Sequence, residues 1–386
     1  MKHLVLIGGG HSHAIALRQW SLNPVPGIRL TAIADVADAP YSGMLPGHIA
    51  GRYSFEESHI NLKTLAQSAR AALILDRAIG LDLNRNRVLC LHHPPLTFDW
   101  LSIDTGSTPA QNEIPGAKDY TIPAKPVPQF LERWNQLLQS LRQDDRLVHR
   151  DRPLCLGIVG GGAGGVELAL AMQARLAAER PALTLEVHLF HRGDLLMDKF
   201  PASVGLLFQD LLAARGIQLH LGETVTAIEL ARDDRRIVRC ESGLRVQCDR
   251  IFWLTQAAAP DWPREAGLAT DAEGFILVGN TLQSVSHPHV FATGDIAAIV
   301  DRPRPKAGVF AVRQGKPLAE NLRRVALGQT PNPFYPQKRY LSLIGTGDGR
   351  AVAVWGGLCV GPSQLLWAWK DWIDRQFMAQ FERRSQ

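Results

Sequence analysis

Two short glycine-rich stretches are the residues of this sequence best suited to hold a dinucleotide. One of them keeps glycine at all three positions of the pattern GxGxxG, namely Gly160, Gly162 and Gly165. Glycines at a strand-to-helix turn let backbone N–H groups and the positive end of a helix approach a pyrophosphate, which side chains would block. An apolar strand pattern, Leu154–Val159, precedes the stretch and a helical pattern follows it, which is the context the motif requires. We predict a dinucleotide site here.

The other glycine-rich stretch lies at the N-terminus. It keeps the first two glycines, Gly8 and Gly10, but His13 stands in the third position. That third glycine normally serves helix–strand packing, so its replacement weakens the motif without removing the phosphate-binding logic. We expect Gly8 and Gly10, with His11 and Ser12 beside them, to line a second dinucleotide site. For His11 and His13 we favour packing or hydrogen bonding over catalysis.

In a dinucleotide-binding unit, the residue at the end of the strand that follows the glycine turn and its helix contacts a ribose. In the first unit Asp35 would accept a hydrogen bond from a ribose hydroxyl, although Ala34 is the alternative occupant of that position. The corresponding strand of the second unit ends in His191 and Arg192, with no acid. Basic groups there suit a 2′-phosphate and favour NADPH over NADH. The alternative is that both side chains simply face solvent.

Two more strand ends carry Thr-Gly pairs that let backbone pass close to a ligand. The first contains Thr105 and Gly106, and the second, VFATGD, ends at Asp295. A carboxylate at a strand end accepts hydrogen bonds from a polyol. It can also act as a helix N-cap, and that alternative stays open for Asp295.

These residues need two repeated strand–turn–helix–strand units to position them. Val5–Ile7 and Arg29–Ala34 are the strands of the first unit, and Leu154–Val159 and Leu185–Phe190 those of the second. We therefore predict an α/β protein with two Rossmann-like dinucleotide-binding domains. Residues 108–128, rich in proline and polar residues, are typical of a linker between domains.

Composition excludes several classes of protein. The chain has 386 residues, of which 46% are hydrophobic and 20% charged, which is ordinary for a globular protein. A net charge of +5 without a dense basic stripe argues against nucleic acid as a partner. The five cysteines form no CxxC pair, so we expect a reduced cytoplasmic protein and no metal site. The N-terminus does not resemble a signal peptide, and no apolar run is long enough to span a bilayer.

Taken in order, the motifs of this chain resemble those of FAD-dependent pyridine nucleotide oxidoreductases. Within that class the sequence looks like the type II NAD(P)H:quinone oxidoreductases, in particular the cyanobacterial and plastid-type branch that also occurs fused ahead of selenide, water dikinase. The similarity extends over nearly the whole chain. The motifs that carry it are GGGHSH (8–13), PYSGMLPG (40–47), IDTGSTP (103–109), GGGAGGVELA (160–169), HPHVFATGD (287–295) and PKAGVFAVRQG (305–315).

The resemblance implies where each cofactor binds. FAD would be held by Gly8, Gly10 and Asp295, with Ala307 and Gly308 lying under the flavin. NAD(P)H would be held by the three glycines of the second motif together with Glu167. The implied domains are three-layer ββα units, the second inserted in the first: FAD at 1–125 and 256–330, NAD(P)H at 126–255, and a small C-terminal segment at 331–386.

The resemblance also implies how electrons would leave the flavin. Disulfide reductases carry a cysteine pair in the stretch that corresponds to residues 40–47, and here that stretch has none. Electrons would then pass directly to a quinone or another small acceptor. Cys155 and Cys359 are expected to be inert. Lys306 and Lys125 are candidates for contacting flavin or nicotinamide, and the alternative for both is an ordinary surface lysine.

The C-terminal residues 364–384 have the pattern of an amphipathic helix, with Leu366, Trp369, Ile373, Phe377 and Phe381 on one face and Lys370, Asp371, Asp374, Arg375 and Glu382 mostly on the other. One interpretation is peripheral contact with the cytoplasmic face of a membrane, where a lipid-soluble quinone would be reached. The others are packing on the flavin domain or against a second subunit in a homodimer.

Three functions remain open on the sequence alone. The favoured one is an NAD(P)H:quinone oxidoreductase. The second is a reductase for a non-quinone acceptor, with a link to selenium chemistry suggested only by the fused relatives. The third is a flavin-binding redox sensor with little turnover.

Overall fold

The computed structural model describes residues 1–109, 114–143, 152–255 and 257–382. Part of the predicted linker, residues 110–113, and the predicted domain boundary at residue 256 lie outside the described residues, as do residues 383 and 384 of the predicted C-terminal helix.

The first part of the chain builds a βαβ unit and the strands that flank it. Its elements are β1 (Lys2–Ile7), α1 (His11–Leu22), β2 (Ile28–Ala34), β3 (Asp38–Pro40), α2 (Leu45–Ile49), α3 (Phe55–Ser58), β4 (His59–Asn61), α4 (Leu62–Ser68), β5 (Ala72–Leu75), β6 (Ala78–Asp82), β7 (Arg87–Cys90), β8 (Leu96–Thr97), β9 (Trp100–Ile103) and β10 (Thr108–Pro109).

The middle of the chain repeats the plan. Its elements are α5 (Ala117–Tyr120), β11 (Ile122–Pro123), α6 (Val127–Gln143), β12 (Leu154–Val159), α7 (Ala163–Glu179), β13 (Leu185–His191), α8 (Ala202–Ala214), β14 (Ile217–Leu221), β15 (Val225–Leu230), β16 (Arg236–Cys240), β17 (Arg245–Cys248) and β18 (Arg250–Trp253).

The last part returns to the first domain and then adds a small sheet and a helix. Its elements are β19 (Ala257–Ala258), α9 (Trp262–Glu265), β20 (Ile276–Val278), β21 (Val290–Ala292), a 3-10 turn (Gly294–Ile296), β22 (Ala297–Ile299), α10 (Gly308–Ala326), β23 (Leu341–Gly345), β24 (Ala351–Trp355), β25 (Leu358–Ser363) and α11 (Gln364–Ala379).

Two five-stranded parallel sheets form the centres of the two units. The first has the order β21-β9-β1-β2-β5 and the second β11-β18-β12-β13-β14. Since β21 comes from the last part of the chain, the first sheet is completed only after the second unit has been traversed. Strands buried on both faces read as continuous apolar runs, which is why LVLI in β1 and LCLGIV in β12 carry no polar alternation.

A three-stranded antiparallel sheet accompanies each parallel sheet, formed by β6-β7-β8 in the first unit and β15-β16-β17 in the second. In the second unit a separate apolar core fills the space between the two sheets, while helices α6, α7 and α8 cover the other face. These are the three layers expected from the sequence. The predicted α/β class with Rossmann-like parallel sheets is confirmed.

The C-terminal segment corrects one detail of the sequence analysis. Helix α11 packs on β24, but its faces differ from those predicted. Lys370 and Asp374, assigned to the polar outer face, are buried, whereas Trp369 is exposed. The charges tolerate burial because they pair with each other one helical turn apart. None of the helices within the described residues is long and apolar enough to cross a membrane.

Candidate functional site

The turn between β1 and α1 gathers several backbone N–H groups, of which Gly8 donates to the Ile33 carbonyl and Gly10 to the Asp104 carbonyl. Gly8 has φ +99°, and a Cβ at this residue would overlap the carbonyl of Asp104. Gly10 precedes α1 in an extended conformation and offers no side-chain cap to the helix. The sequence thus needs glycine here for close packing against the end of β9. The start of a helix attracts anions, and here the Asp104 carboxyl already accepts from one of its N–H groups, that of His13.

His13 takes over the packing role of the missing third glycine by hydrogen bonding. The ring is buried, with Nδ1 2.8 Å from the Gly8 carbonyl and Nε2 2.8 Å from Ser102 Oγ. Since a carbonyl only accepts, Nδ1–H donates to Gly8 and Nε2 accepts from the serine hydroxyl. Burial lowers the pKa of His13 to about 4, so the ring is neutral. The departure from GxGxxG therefore leaves the turn intact.

A buried carboxyl, missed by the sequence analysis, lies beneath this turn. Asp104 directly follows β9 and is 2% exposed, and its Oδ2 accepts a hydrogen bond from the His13 backbone N–H at 3.2 Å. Burial raises the pKa of Asp104 to about 7, against the opposing effect of that N–H donor. A signal was present in the sequence, because an aspartate directly after a buried strand and before Thr-Gly is costly to bury without a role.

The second glycine turn repeats this construction with all three glycines. Gly160 has φ +125°, and its Cβ would overlap the carbonyl of Leu254 at the end of β18. Gly162 is the extended N-cap of α7, again without a side-chain cap. A Cβ on Gly165 would overlap the Gly160 carbonyl, so the third glycine lets α7 approach β12. The structure brings the three predicted glycines together in one turn.

The residues predicted to bind the two riboses lie at the ends of β2 and β13. Their side chains differ in how firmly neighbouring groups hold them. Asp35 is the first residue after β2 and is exposed, with a loose ion pair to Arg77 at 4.0 Å. His191 is the last residue of β13, and its ring is tied down, with Nε2 3.1 Å from the Leu195 carbonyl. Arg192 is exposed beside it. Of the two basic residues, Arg192 is the one free to reach an incoming phosphate.

Asp295 stands in the 3-10 turn after β21 and is bound by the predicted residue Lys125. Lys125 Nζ lies 2.8 Å from Asp295 Oδ2, and the Ser107 hydroxyl donates to the same oxygen at 3.2 Å. Although burial alone would favour the neutral acid, Lys125 holds the pKa of Asp295 below its usual range. Asp295 lies inside the 3-10 turn, whose N-cap position is Thr293, and a strand follows at Ala297, so the structure does not place Asp295 at a helix N-cap.

Helix α10 begins beside Asp295 and points its N-terminus into a cleft. Ala307 is its N-cap in an extended conformation, without a side-chain cap, and Gly308 is its first residue. The cleft is lined by Asp295, Lys306 and Ala307 among others. Lys306 Nζ donates to the Ala297 carbonyl at 2.7 Å and lies 3.7 Å from the centre of the Phe275 ring. Burial lowers the pKa of Lys306 to about 8.

The remaining predicted residues of the first unit differ in whether their side chains are bound inside the fold or exposed. The backbone N–H of Ser42 donates to His11 Nε2 at 3.3 Å, and burial lowers the pKa of His11 to about 4. Thr105 is exposed beside Gly106, which has φ +71°. The Ser12 hydroxyl points inward and donates to the Ala311 carbonyl. That hydroxyl is thus used between α1 and α10, and the predicted place of Ser12 beside a cofactor stays a prediction.

A buried charged network, also missed by the sequence analysis, joins α11 to the stretch 40–47. Lys370 Nζ lies 2.6 Å from Asp374 Oδ2 and donates to the Gly43 carbonyl at 2.6 Å. Tyr41 donates its hydroxyl to Asp374 Oδ1 at 3.0 Å, and burial together with that carboxylate raises the pKa of Tyr41. The helical pattern placed Lys370 and Asp374 on an outer face, so no periodicity signal could have identified this network.

Glu167, in the first turns of α7, faces the same network. Its Oε1 accepts a hydrogen bond from the Gly345 N–H at 2.7 Å, and a narrow crevice lined by Pro46, Trp367 and Lys370 adjoins it. Burial raises the pKa of Glu167 to about 7, more than the nearby Lys370 lowers it. The carboxyl thus turns from the glycine turn toward the junction of both units with the C-terminal segment.

Two nucleotide-type turns, an ion pair beside a bare helix end and a buried network without cysteine now define the site. A family model described as pyridine nucleotide-disulphide oxidoreductase matches residues 2–315 of the chain. The chain belongs to this family. The oxidoreductase class expected from the resemblance is confirmed.

The chain is also similar to individual proteins. The chain is 23% identical over 347 residues to the NADH dehydrogenase-like protein YutJ of Bacillus subtilis (strain 168), covering 90% of each chain. It is 29% identical over 276 residues to the demethylphylloquinone reductase NdbB of Synechocystis, covering 70% of this chain and 65% of the other. Among solved structures, the sulfide:quinone oxidoreductase of Aquifex aeolicus matches with a TM-score of 0.79 at 19% identity, covering 99% and 91% of the two chains, which shows a shared fold.

Proposed function

We propose that this member of the family is an FAD-dependent NAD(P)H dehydrogenase that passes electrons directly to a quinone. One observation carries the proposal. The stretch 40–47 touches His11 at one end of the site and Lys370 at the other, and it contributes tyrosine and serine where a thiol relay would need cysteines. Without a thiol between the two cofactors and the acceptor, the acceptor must itself take electrons from the flavin.

The described residues fit FAD. The N–H groups at the start of α1 suit the pyrophosphate, exposed Asp35 suits the adenosine ribose, and Asp295 suits a polyol hydroxyl. Bound FAD supplies the acceptor of the hydride. The N-terminus of α10 and the Lys306 ammonium, both lining the cleft beside Asp295, would stabilise negative charge that develops there.

The second turn fits a nicotinamide dinucleotide, and we propose NADPH as the preferred donor. Gly160, Gly162 and Gly165 leave the N-terminus of α7 open to a pyrophosphate. The end of β13 presents the exposed Arg192 and no carboxylate to the ribose. An arginine fork binds a 2′-phosphate through charge-assisted hydrogen bonds, whereas a 2′-hydroxyl has no acid to pair with.

Reduction of a quinone to a quinol consumes two protons as well as two electrons, so the acceptor side needs a group that can donate a proton near neutral pH. Glu167, whose pKa of about 7 matches this task, lies at the crevice beside Lys370 and Trp367. We assign Glu167 as a proton donor on this side, and Lys370 as the cation that keeps Asp374 and the stretch 40–47 in place.

A surface suited to a lipid-soluble acceptor lies on the C-terminal segment. Neighbouring parts of β24, β25 and α11 expose large apolar side chains, namely Trp355, Leu358, Val360, Leu365, Trp369 and Trp372. An exposed apolar patch with several tryptophans is typical of a membrane-interface contact. We propose peripheral docking on a bilayer through this apolar patch.

The proposal is tested by measuring steady consumption of NADPH, and of NADH in parallel, with a naphthoquinone and a benzoquinone as acceptors. We expect turnover with both quinones and a lower KM for NADPH. Flavin that is bound but reduced by neither nicotinamide would contradict the proposal and favour a sensor. Rapid reduction of the flavin without reoxidation by any quinone would instead favour a different acceptor.

A further inference from the structure

A cluster of metal-ligating side chains lies in the second unit, between the parallel sheet and the antiparallel sheet β15-β16-β17. Cys155 on β12 and Glu186 on β13 are direct register partners, so their side chains stand next to each other on one face. His188 lies two residues beyond Glu186 on the same face of β13. Cys248, the last residue of β17, approaches from the opposite sheet. Four potential ligands from three strands therefore converge at one place.

The distances within this cluster suit one ion for three of its members, and Cys248 lies beside one of these, Cys155. The donor atoms of Cys155, Glu186 and His188 all lie within 4.8 Å of one another. The Sγ atoms of Cys155 and Cys248 are 3.6 Å apart. Two thiolates each bound ~2.3 Å from a tetrahedral zinc ion stand about 3.8 Å apart. The two sulfurs are thus already close to the spacing that such an ion imposes.

Two further features support a built site rather than a chance meeting of side chains. Gly157 lies opposite His188 in the sheet, and a Cβ there would come within 3.0 Å of Cys248 Sγ, so a side chain would crowd the thiol. His188 Nδ1 lies 2.9 Å from His220 Nε2 on β14. If Nδ1–H of His188 donates to His220, the lone pair of His188 Nε2 is available to the cluster. Metal-binding histidines usually donate their other ring N–H to a neighbour in this way.

We propose that Cys155, Glu186, His188 and Cys248 bind one transition-metal ion of the zinc class. Binding forms two metal–thiolate bonds and releases the two thiol protons to solvent, with no change of oxidation state. The half-exposed Glu186 provides the entry side, while both cysteines and His188 are buried. This site differs from the sequence-based expectation of no metal, because its ligands are far apart in the chain and show no CxxC spacing.

The position of the site assigns it a structural role. Cys155 is the second residue of β12, whereas the nucleotide turn begins at Gly160 beyond the other end of that strand. The ion would tie β17 to the parallel sheet, where it would add to the apolar core between the sheets and to the hydrogen bonds between Cys155 and Asp249. Removal of the ion would therefore lower thermal stability without abolishing hydride transfer. The inference is independent of the proposed electron acceptor.

The test loads the purified protein with excess Zn²⁺, removes free ion by desalting, and counts metal per chain by mass spectrometry. Matched variants are Cys155→Ser, Glu186→Gln and, as control, Cys240→Ser, a buried thiol of β16 outside the cluster. We expect one ion per chain in the unmodified protein and the control, and none retained by Cys155→Ser. Glu186→Gln, at a half-exposed side chain, should bind the ion at least about tenfold more weakly.

Cobalt gives an independent readout. Co²⁺ bound by two thiolates in tetrahedral geometry should add intense visible bands at wavelengths beyond the absorption of a flavin. Protein that retains neither Zn²⁺ nor these bands would overturn the inference. So would a mass two hydrogens below the reduced chain with Cys155 linked to Cys248, since that result would make the pair a disulfide. Equal metal loss in Cys240→Ser would contradict the assigned ligands.

Discussion

Lys125 Nζ lies 2.8 Å from Asp295 Oδ2, and this ion pair connects the start of the second unit with the last strand of the first sheet. Ser107 adds a hydroxyl contact to the same carboxylate. The pair holds a charged acceptor at the mouth of the cleft from which α10 begins. In the proposed function, the flavin polyol would bind at this ion pair.

Replacement of Asp295 should remove that acceptor. We expect Asp295→Ala to weaken FAD binding about 10- to 100-fold, because a hydrogen bond to a charged group contributes about 1.5–3 kcal/mol. The measurement is FAD dissociation followed by flavin fluorescence. Asp301→Ala, at a nearby exposed acid, is the control and should retain its flavin. Equal flavin content in both variants would show that Asp295 does not hold the cofactor.

Glu167→Gln should separate the two half-reactions. We expect reduction of the flavin by NADPH to change less than about threefold, and reoxidation by quinone to slow at least about 100-fold, as for loss of a general acid. Since the pKa of Glu167 is raised to about 7, the protonated donor is depleted as pH rises through 7. Wild-type reoxidation should fall above that pH, and the variant should lose this dependence.

Glu179→Gln is the matched control for this prediction. Glu179 ends the same helix but pairs with Arg142 and Arg175 at its far end. Stopped-flow absorbance under anaerobic conditions measures both half-reactions. If Glu167→Gln slowed flavin reduction as much as reoxidation, the residue would act on the nucleotide side and the proton-donor assignment would be wrong.

Asp104 should make stability depend on pH. Burial raises its pKa to about 7 in the folded chain from the ordinary value of 3.8, so the folded state retains a proton that the unfolded state releases. The favourable contribution is complete below pH ~4 and is lost as pH rises through 7, with an upper limit of ~4 kcal/mol. Compared with Asp104→Asn, the wild-type Tm should decline between pH 5 and pH 8.

The quantity to follow is the difference in Tm between wild type and Asp104→Asn. His11 and His13 have lowered pKa values, so they make stability rise with pH, opposite to Asp104. Both proteins contain these histidines, so their contribution cancels in the difference. Differential scanning calorimetry across this pH range measures it. A constant difference between the two proteins would mean that Asp104 does not titrate in the folded state.

The apolar patch on β24, β25 and α11 should bind membranes. The double variant Trp369→Ser and Trp372→Ser should bind phosphatidylglycerol vesicles at least about tenfold more weakly than wild type. Each substitution removes a large apolar area that the tryptophan would bury in the lipid contact. Co-sedimentation with vesicles measures the binding. Leu206→Ser, which removes an exposed apolar side chain on α8, is the control. If the double variant bound vesicles as well as wild type does, the patch would not be a lipid contact. A wild-type protein that is dimeric, and a double variant that is monomeric, would show instead that a second copy covers the patch.

The parts of the fold that depend on local pattern were accessible from the sequence. Glycine turns after apolar strands predicted both βαβ units, because the backbone approach at Gly8 and Gly160 tolerates no side chain. The sequence also identified Lys125 and Asp295 separately. It could not show that they form an ion pair, since 170 residues separate them and only the completed first sheet brings them together.

Features in which groups far apart in the chain satisfy each other's charge or hydrogen bonds could not be predicted from the sequence. Lys370 and Asp374 looked like surface charges, and their burial is tolerable because they pair with each other, with the Gly43 carbonyl and with the Tyr41 hydroxyl. His13 looked like a defect in a motif until its two hydrogen bonds were known. The predicted roles of the remaining site residues and the domain boundaries stay predictions that ligand-bound experiments must test.

The most direct test of the account is an anaerobic titration of the yellow purified protein with NADPH. An enzyme that contains a flavin and no thiol relay takes up two electrons, so full reduction should require one equivalent of NADPH per flavin, and one equivalent of a naphthoquinone should restore the oxidised spectrum. Uptake of a second equivalent before reduction is complete would reveal a redox-active disulfide and contradict direct transfer. A colourless protein that gains no flavin on addition of FAD would contradict the account altogether.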